Sequence, residues 1–196
     1  MGCAVGKSAM DQMKRLTLEL GGKSPVIVCA DADIEAAAVA VANGVFFNAG
    51  QVCDAGTRVY VERSIYADFL DALARYTATL KIAPGLDPEC FISPMVSRQQ
   101  QQRVLDYIAL GQAEGARLFY GGQPLDGPGF FVEPTIFADC DNRMRVVREE
   151  IFGPVLVTQP FDSLEQALEL ANDSVYGLAA AIYSSDLGTV HGLIPR

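Results

Sequence analysis

Short apolar runs alternate with longer amphipathic stretches along this chain. The apolar runs are rich in valine, isoleucine and phenylalanine and predict β-strands. They cover residues 25–29, 58–62, 117–120, 130–133, 155–158 and 178–183. Amphipathic stretches between many of these runs predict crossover helices. The pattern therefore indicates an α/β fold with a mostly parallel sheet flanked by helices.

Four helices are predicted from apolar residues at helical spacing and from polar residues that cap the first turn. The predicted capping residues are Asp33, Ser64, Ser97 and Ser163. Asp33 begins a helix that runs to about residue 46, and Ser163 with Gln166 has the form of a capping box. The glutamine run at 99–102 is predicted to be a solvated helical face.

The chain of 196 residues is long enough to bury one sizeable core. Apolar residues make up 50% of it and charged residues 20%, which is typical of a globular protein. The net charge of -9 argues against a nucleic-acid groove and a basic membrane-binding face. No apolar run reaches the length of a membrane span, and the first residues lack the apolar core of a secretory signal. These features predict a soluble, cytoplasmic protein.

Five cysteines occur without a Cys-x-x-Cys pair, at positions 3, 29, 53, 90 and 140. Because His191 is the single histidine, the sequence predicts no metal centre. An odd number of cysteines in a chain of this size predicts reduced thiols and a reducing compartment.

Two short motifs carry the candidate chemistry. Cys53 follows a Gly-Gln turn that begins at Gly50, and Glu19 precedes the pair Gly21 and Gly22. One βα unit separates the motifs, which is long enough for both turns to return to the same edge of a sheet. A thiol and a carboxylate brought together there could act as nucleophile and general base. The glycine beside the thiol would let the backbone approach a substrate and direct an N–H group at an oxyanion.

The segments LELGGKSP (18–25) and FFNAGQVC (46–53) resemble, in order and spacing, two signature motifs of the NAD(P)-dependent aldehyde dehydrogenase superfamily. The segment REEIFGPV (148–155) looks like the third signature of that family. Residues 170–179 and the tripeptide at 133–135 are similar to further family segments. The resemblance covers nearly the whole chain, from about residue 10 to residue 196.

The resemblance implies an enzyme that oxidises an aldehyde to a carboxylic acid with NAD(P)+, with NAD favoured over NADP. Cys53 would be the nucleophile that forms a thiohemiacetal and then a thioester. Glu19, placed between the apolar residues Leu18 and Leu20, would activate the water that hydrolyses the thioester.

The resemblance also implies a partial cofactor site. Glu150 would accept hydrogen bonds from the hydroxyl groups of the nicotinamide ribose, and the ring of Phe152 would pack near the nicotinamide. Leu20 and Gly21 would offer backbone contacts to the nicotinamide, whereas Lys23 is interpreted as structural. No metal is implied, and the partner is a small aldehyde.

The family is longer than this chain, so the resemblance implies a fragment. Residues 1–20 would be the tail of the cofactor-binding domain, and residues 21–196 a catalytic domain that is incomplete at its C-terminal end. The resemblance places the family's oxyanion-donating asparagine and its adenosine contacts upstream of the first residue. The isolated chain is therefore expected to be a poor catalyst, and the full-length form is expected to be a homo-oligomer.

One residue departs from the family pattern. Asp54 stands where the family usually has a small or apolar residue, and a carboxylate there would disfavour a neighbouring thiolate. One alternative is a cysteine hydrolase or acyltransferase, for which His191 is the only candidate base. A second alternative is a catalytically inactive fragment. Residues 10–13 and 50–53 are similar to phenylacetaldehyde dehydrogenase-like members of the family.

Overall fold

The computed structural model describes residues 1–194. They form a six-stranded sheet whose strands lie in the order β3-β4-β5-β2-β1-β6. The strands are β1 Pro25–Val28, β2 Arg58–Glu62, β3 Arg117–Tyr120, β4 Thr135–Ala138, β5 Val155–Phe161 and β6 Ala181–Tyr183. The pairing of β3 with β4 is antiparallel, and the other pairings are parallel. The predicted α/β fold with a mostly parallel sheet is confirmed.

Seven α-helices accompany the sheet in the described part of the chain. They are α1 Gly2–Met10, α2 Ile34–Phe46, α3 Tyr66–Thr77, α4 Arg98–Ala113, α5 Arg145–Arg148, α6 Leu164–Asn172 and α7 Leu187–Leu193. Short 3₁₀ turns, Phe47–Gly50 and Arg63–Ile65, follow α2 and precede α3. None of the helices within residues 1–194 is both long and apolar enough to span a bilayer.

Three of the four predicted caps are formed. The side chains of Asp33, Ser97 and Ser163 accept hydrogen bonds from backbone amides in the first turns of α2, α4 and α6. The prediction for Ser64 is wrong, because that residue lies in a 3₁₀ turn and α3 begins at Tyr66 without a side-chain cap. The capping box is only half formed, because Gln166 accepts from the amide of Asp162 rather than from that of Ser163.

The strand predicted at 130–133 is wrong. Val132 makes only an isolated bridge with Pro124, and the strand that enters the sheet is β4, a few residues later. All four residues of β4 are buried, so its sequence lacks the alternation that marks a half-exposed strand. The strand predicted at 178–183 is shorter than expected, because residues 178–180 are exposed and only β6 pairs with β1.

The sheet is covered on both faces. The alternation of β1 shows this, because Val26 and Val28 join the larger core under α2, α3 and α4, whereas Ile27 joins a smaller cluster under α6. Residues 1–20 contribute no buried residue to either cluster. The packed body therefore begins at the Gly-Gly pair that precedes β1.

Candidate active site

Three loops meet at one edge of the sheet, where the parallel strands β1, β2 and β5 begin. Pro25 of β1 pairs with Arg58 of β2, and Arg58 pairs with Val157 of β5. The loops that carry the Gly-Gly pair, the Cys53 turn and the REEIFGPV segment lead into these three strands. The structure therefore brings the candidate motifs to the amino ends of the strands, at one edge, as their spacing predicted.

Gly22 packs directly on the backbone of the cysteine loop. A Cβ atom at Gly22 would lie 2.3 Å from the carbonyl oxygen of Cys53, which is closer than any side chain tolerates. Glycine is therefore required at this position for the two loops to touch. This contact joins the segment that carries Glu19 to the segment that carries the thiol.

The carboxylate of Glu150 joins the third loop to the first. The backbone amide of Gly22 donates a hydrogen bond of 3.0 Å to Oε1 of Glu150. A Cβ at Gly21 would lie 2.3 Å from Oε2 of the same carboxylate. The Gly-Gly pair thus gives Glu150 both a donor and the space to reach it.

Gly50 and Gly153 make a further close approach. Gly50 has a φ of +69°, and a Cβ there would lie 2.1 Å from the carbonyl oxygen of Gly153. Asn48 precedes it with a φ of 50°, and its side-chain amide donates to the carbonyl of Gln51. Asn48 is therefore a turn residue, and the turn places Cys53 beside the loop of Glu150.

Cys53 carries a free, half-buried thiol, and the other cysteines of the chain are free as well. Burial raises the pKa of Cys29 to about 11 and that of Cys140 to about 12, so both remain protonated near neutral pH. Cys90 is half-buried, and its thiol donates to the carbonyl of Ala83. Asp54, the residue after Cys53, is exposed.

The two adjacent glutamates of the third loop have different surroundings. Glu149 is held by Arg145 at 2.7 Å and by the Tyr107 hydroxyl at 2.5 Å. The Arg145 guanidinium and the Tyr107 hydroxyl lower the pKa of Glu149 to about 2. Glu149 therefore anchors the loop to α4 and α5, whereas Glu150 faces the Gly-Gly pair.

Sequence reasoning missed a contribution from α4. The side-chain amide of Gln100 donates to the carbonyl oxygens of Ile151 and Phe152, and Arg103 donates to that of Glu150. The predicted solvated face at 99–102 is thus wrong for Gln100 and also for Gln101, whose side-chain amide donates to the carbonyl of Phe131, although Gln102 is exposed. The i, i+3 spacing of two polar donors was the only signal in the sequence.

Comparison with known proteins identifies the family. The model of the aldehyde dehydrogenase family matches residues 1–196. The chain belongs to this family. A betaine aldehyde dehydrogenase from Bacillus subtilis (strain 168) is 44% identical over 190 residues, which cover 95% of this chain and 39% of that protein.

Two solved structures of the family superpose closely on this chain. An NAD-dependent aldehyde dehydrogenase from Sinorhizobium meliloti has a TM-score of 0.96 and 38% identity over 100% of this chain and 39% of its own. The NAD+ complex of an aldehyde dehydrogenase from Bacillus cereus has a TM-score of 0.94 and 43% identity over 99% of this chain and 40% of its own. The chain therefore spans about two fifths of the length of the relatives it matches.

Within this aldehyde dehydrogenase fold, the predicted apolar surroundings of Glu19 are wrong. Glu19 is exposed, and so are its neighbours Leu18 and Leu20, at 40% and 52%. The two leucine side chains lie toward Gly2 of α1. The reason is that residues 11–20 are exposed and, among residues 1–194, no strand or helix of the core packs over them.

Lys23 and Arg58 are both buried behind the Gly-Gly segment. Burial and the nearby Arg58 guanidinium lower the pKa of Lys23 to about 7. Arg58 donates to the carbonyl of Lys23 at 2.7 Å and to that of Ala171, at the C-terminal end of α6, at 2.9 Å. The helix dipole of α6 favours this buried charge. Lys23 is thus a buried residue of the fold, as its interpretation as structural requires.

His191 lies exposed on the short helix α7. Its imidazole makes no hydrogen bond or ion pair that reaches the Cys53 loop within residues 1–194. The alternative of a cysteine hydrolase therefore gains no support from the described geometry. No group of three or more histidine, cysteine or acidic side chains in the same range is arranged to hold a metal ion.

Proposed function

We propose that this chain supplies the nucleophile and part of the nicotinamide site of an aldehyde dehydrogenase that oxidises an aldehyde to a carboxylic acid. The observation that carries the proposal is the junction at Gly22, which contacts both the Cys53 backbone and the Glu150 carboxylate. Three segments that are distant in sequence converge there. A relative that binds NAD+ and another that depends on NAD support NAD as the cofactor.

The described residues fit the nicotinamide end of such a cofactor. Glycine at position 21 leaves space beside Oε2 of Glu150 that a Cβ would fill. That oxygen is the one that does not accept the Gly22 amide, so it is available to a ribose hydroxyl group. The Phe152 side chain is 40% exposed at the same loop, where its ring could pack on an aromatic ligand. The bound cofactor would supply a hydride acceptor.

The first chemical step belongs to Cys53. Its thiolate sulfur forms a bond to the aldehyde carbon, and the electron pair of the C=O bond moves to the oxygen, which gives a thiohemiacetal. Backbone N–H groups of the cysteine loop would stabilise the negative charge on that oxygen. When the oxygen electron pair re-forms the C=O bond, the carbon loses a hydride and a thioester remains on Cys53.

The second step belongs to Glu19. Its carboxylate accepts a proton from water, whose oxygen bonds to the thioester carbon. Breaking the carbon–sulfur bond releases the carboxylic acid and regenerates the Cys53 thiolate. Glu19 lies on the exposed segment just before the anchored Gly-Gly pair, so movement of this segment could bring the carboxylate to the thioester. Leu20 and Gly21 would contact the nicotinamide through their backbones.

The test uses the product of the complete reading frame that encodes this chain. The protein is incubated with phenylacetaldehyde, indole-type and short aliphatic aldehydes, with NAD+, with NADP+ or without cofactor. We expect acid and reduced cofactor in equal amounts, with NAD+ preferred and aryl-substituted acetaldehydes oxidised fastest. Acid release from an activated ester or thioester, without cofactor reduction by any aldehyde, would instead show a cysteine hydrolase.

Several broader features belong to the same proposal. Residues 1–20 would be the tail of the cofactor-binding domain and residues 21–196 most of the catalytic domain, in a cytoplasmic homo-oligomer. Because the chain covers only 39% of the Bacillus subtilis relative, we expect the isolated 196-residue chain to bind NAD+ weakly. Calorimetric titration tests this, and micromolar binding with turnover by the isolated chain would contradict it.

A further inference from the structure

Three consecutive carbonyl groups of the third loop are held by two side chains of α4. Nε2 of Gln100 donates to the carbonyl oxygens of Ile151, at 3.0 Å, and Phe152, at 2.9 Å. Nη2 of Arg103 donates to the carbonyl oxygen of Glu150 at 2.8 Å. Both hydrogens of the Gln100 amide are thus used on this loop.

The loop has an unfavourable backbone conformation where it is held. Phe152 has a φ of 60°, in the left-handed region that a bulky side chain rarely adopts. The next residue, Gly153, lies against α4, since a Cβ there would be 2.3 Å from Val104. Such a conformation persists only when the surroundings impose it, and the hydrogen bonds from α4 do so.

The donors stand on a firmly anchored helix. The Ser97 side chain caps α4 by accepting from the amide of Gln100 itself, and Val104 and Ile108 are buried in the main core. Residues 100, 103 and 104 lie on one face because of the helical repeat. Gln102 lies on another face, and within residues 1–194 its side chain donates to Asp106 of the same helix and not to the third loop, which makes it a matched control.

We infer that Gln100 and Arg103 are positioning residues that fix the Glu150 carboxylate and the Phe152 ring for the nicotinamide half of the cofactor. They act through the backbone of the loop. The inference rests on the proposed function, because it assigns the loop to cofactor binding. Loss of the donors would let the loop leave the left-handed conformation, so that Glu150 and Phe152 no longer face the cofactor together.

The first variant is Gln100→Glu in the product of the complete reading frame. Glutamate has nearly the same shape but donates no hydrogen bond when ionised, and its charge faces two carbonyl oxygens. We expect the KM for NAD+ to rise by about tenfold or more, the effect of losing two hydrogen bonds. We expect kcat to fall less and alkylation of Cys53 by iodoacetamide to be unchanged. Gln102→Glu should leave the KM for NAD+ unchanged.

A second pair of variants tests the other donor. Arg103→Lys retains a donor and should keep most of the NAD+ affinity, whereas Arg103→Met should raise the KM for NAD+. An unchanged KM in Gln100→Glu would overturn the inference. Equal losses of NAD+ affinity, Cys53 alkylation and thermal stability in that variant would also overturn it, because they would show a general loss of folding.

Hydrogen exchange separates this inference from the proposed function. In Gln100→Glu, amides in residues 151–155 should exchange faster than in the parent, and those of β1 should not. A parent protein that reduces no NAD+ would contradict the proposed function. Faster exchange in Gln100→Glu would still show that Gln100 fixes the conformation of the loop. Unchanged exchange in an active enzyme would contradict the inference alone.

Discussion

The carboxylate of Glu150 accepts a hydrogen bond of 3.0 Å from the backbone amide of Gly22, 128 residues earlier in the chain. The same glycine lies against the carbonyl oxygen of Cys53. One residue without a side chain thus links a proposed cofactor ligand to the loop of the proposed nucleophile. Substitutions at this junction should therefore affect more than one step of the reaction.

Gly22→Ala should separate the loops. Its Cβ would meet a backbone atom at 2.3 Å, and a backbone atom yields less readily than a flexible side chain. We expect a loss of about 1–3 kcal/mol in the free energy of unfolding and a large loss of aldehyde oxidation. Urea denaturation and steady-state kinetics measure the two effects.

The matched control for this change is Gly44→Ala. Gly44 lies within α2, and a Cβ there would meet no other part of residues 1–194 within 4 Å, apart from the neighbouring backbone of its own helix. Alanine in a helix is favoured over glycine by about 0.5–1 kcal/mol, so stability should not fall. If Gly22→Ala behaves like this control, the close packing of the Gly22 and Cys53 loops is not required.

Cys53→Ala should abolish aldehyde oxidation, whereas Cys90→Ala should retain it. The Cys90 thiol donates to the carbonyl of Ala83 in another loop. The buried thiols of Cys29 and Cys140 have raised pKa values and should resist alkylation at neutral pH. Mass spectrometry of iodoacetamide-treated protein should find Cys53 modified and these two unmodified. Undiminished turnover by Cys53→Ala would remove it as the nucleophile.

Glu19→Gln should not change the rate of thioester formation, but it should slow hydrolysis of the thioester. We expect a burst of NADH that matches the enzyme concentration, followed by release of acid that is slower by about 10²–10⁴-fold, because hydrolysis has lost its base. Stopped-flow absorbance and acid quantification separate the steps. A variant that loses the burst but hydrolyses a preformed thioester normally would show that Glu19 serves the first step instead.

Lys23 should make stability depend on pH. Its pKa is lowered from 10.5 to about 7 by burial and by Arg58, so between these values the unfolded chain binds a proton that the folded chain does not. Stability should therefore rise with pH above about 7, by up to about 1.4 kcal/mol per pH unit. Above pH 9.0, the ordinary pKa of a cysteine, Cys29 and Cys140 should lower stability as pH rises. Burial raises their pKa values, so the folded chain keeps protons that the unfolded chain loses.

The effect of Lys23 on stability is therefore measured best between pH 7 and pH 9. Urea unfolding of the parent should show the rise in this window, and Lys23→Met, which keeps an unbranched side chain without the charge, should not. The lowered pKa would be contradicted if the free energy of unfolding of the parent did not change between pH 7 and pH 9. It would also be contradicted if Lys23→Met showed the same rise as the parent.

The sequence by itself determined much of the local structure and the family to which the chain belongs. The buried strand β1 is marked by its apolar run. The caps at Asp33, Ser97 and Ser163 involve only residues within one helical turn. The motifs around Glu19, Cys53 and Glu150 also suffice to indicate the family, which the comparisons confirm.

The tertiary structure decided what depends on distant partners. Whether 130–133 or β4 enters the sheet depends on pairing with β5, and Gln100 faces the loop of Phe152 only because α4 packs beside it. Leu18 and Leu20 do not enclose Glu19, because their segment lies outside the core. The contact of Gly22 with Cys53 and Glu150 likewise arises only when parallel strands align their amino ends. Local sequence patterns reflect the conformational preferences of residues that are close in the chain. These contacts, in contrast, join distant segments that only the folded sheet brings together.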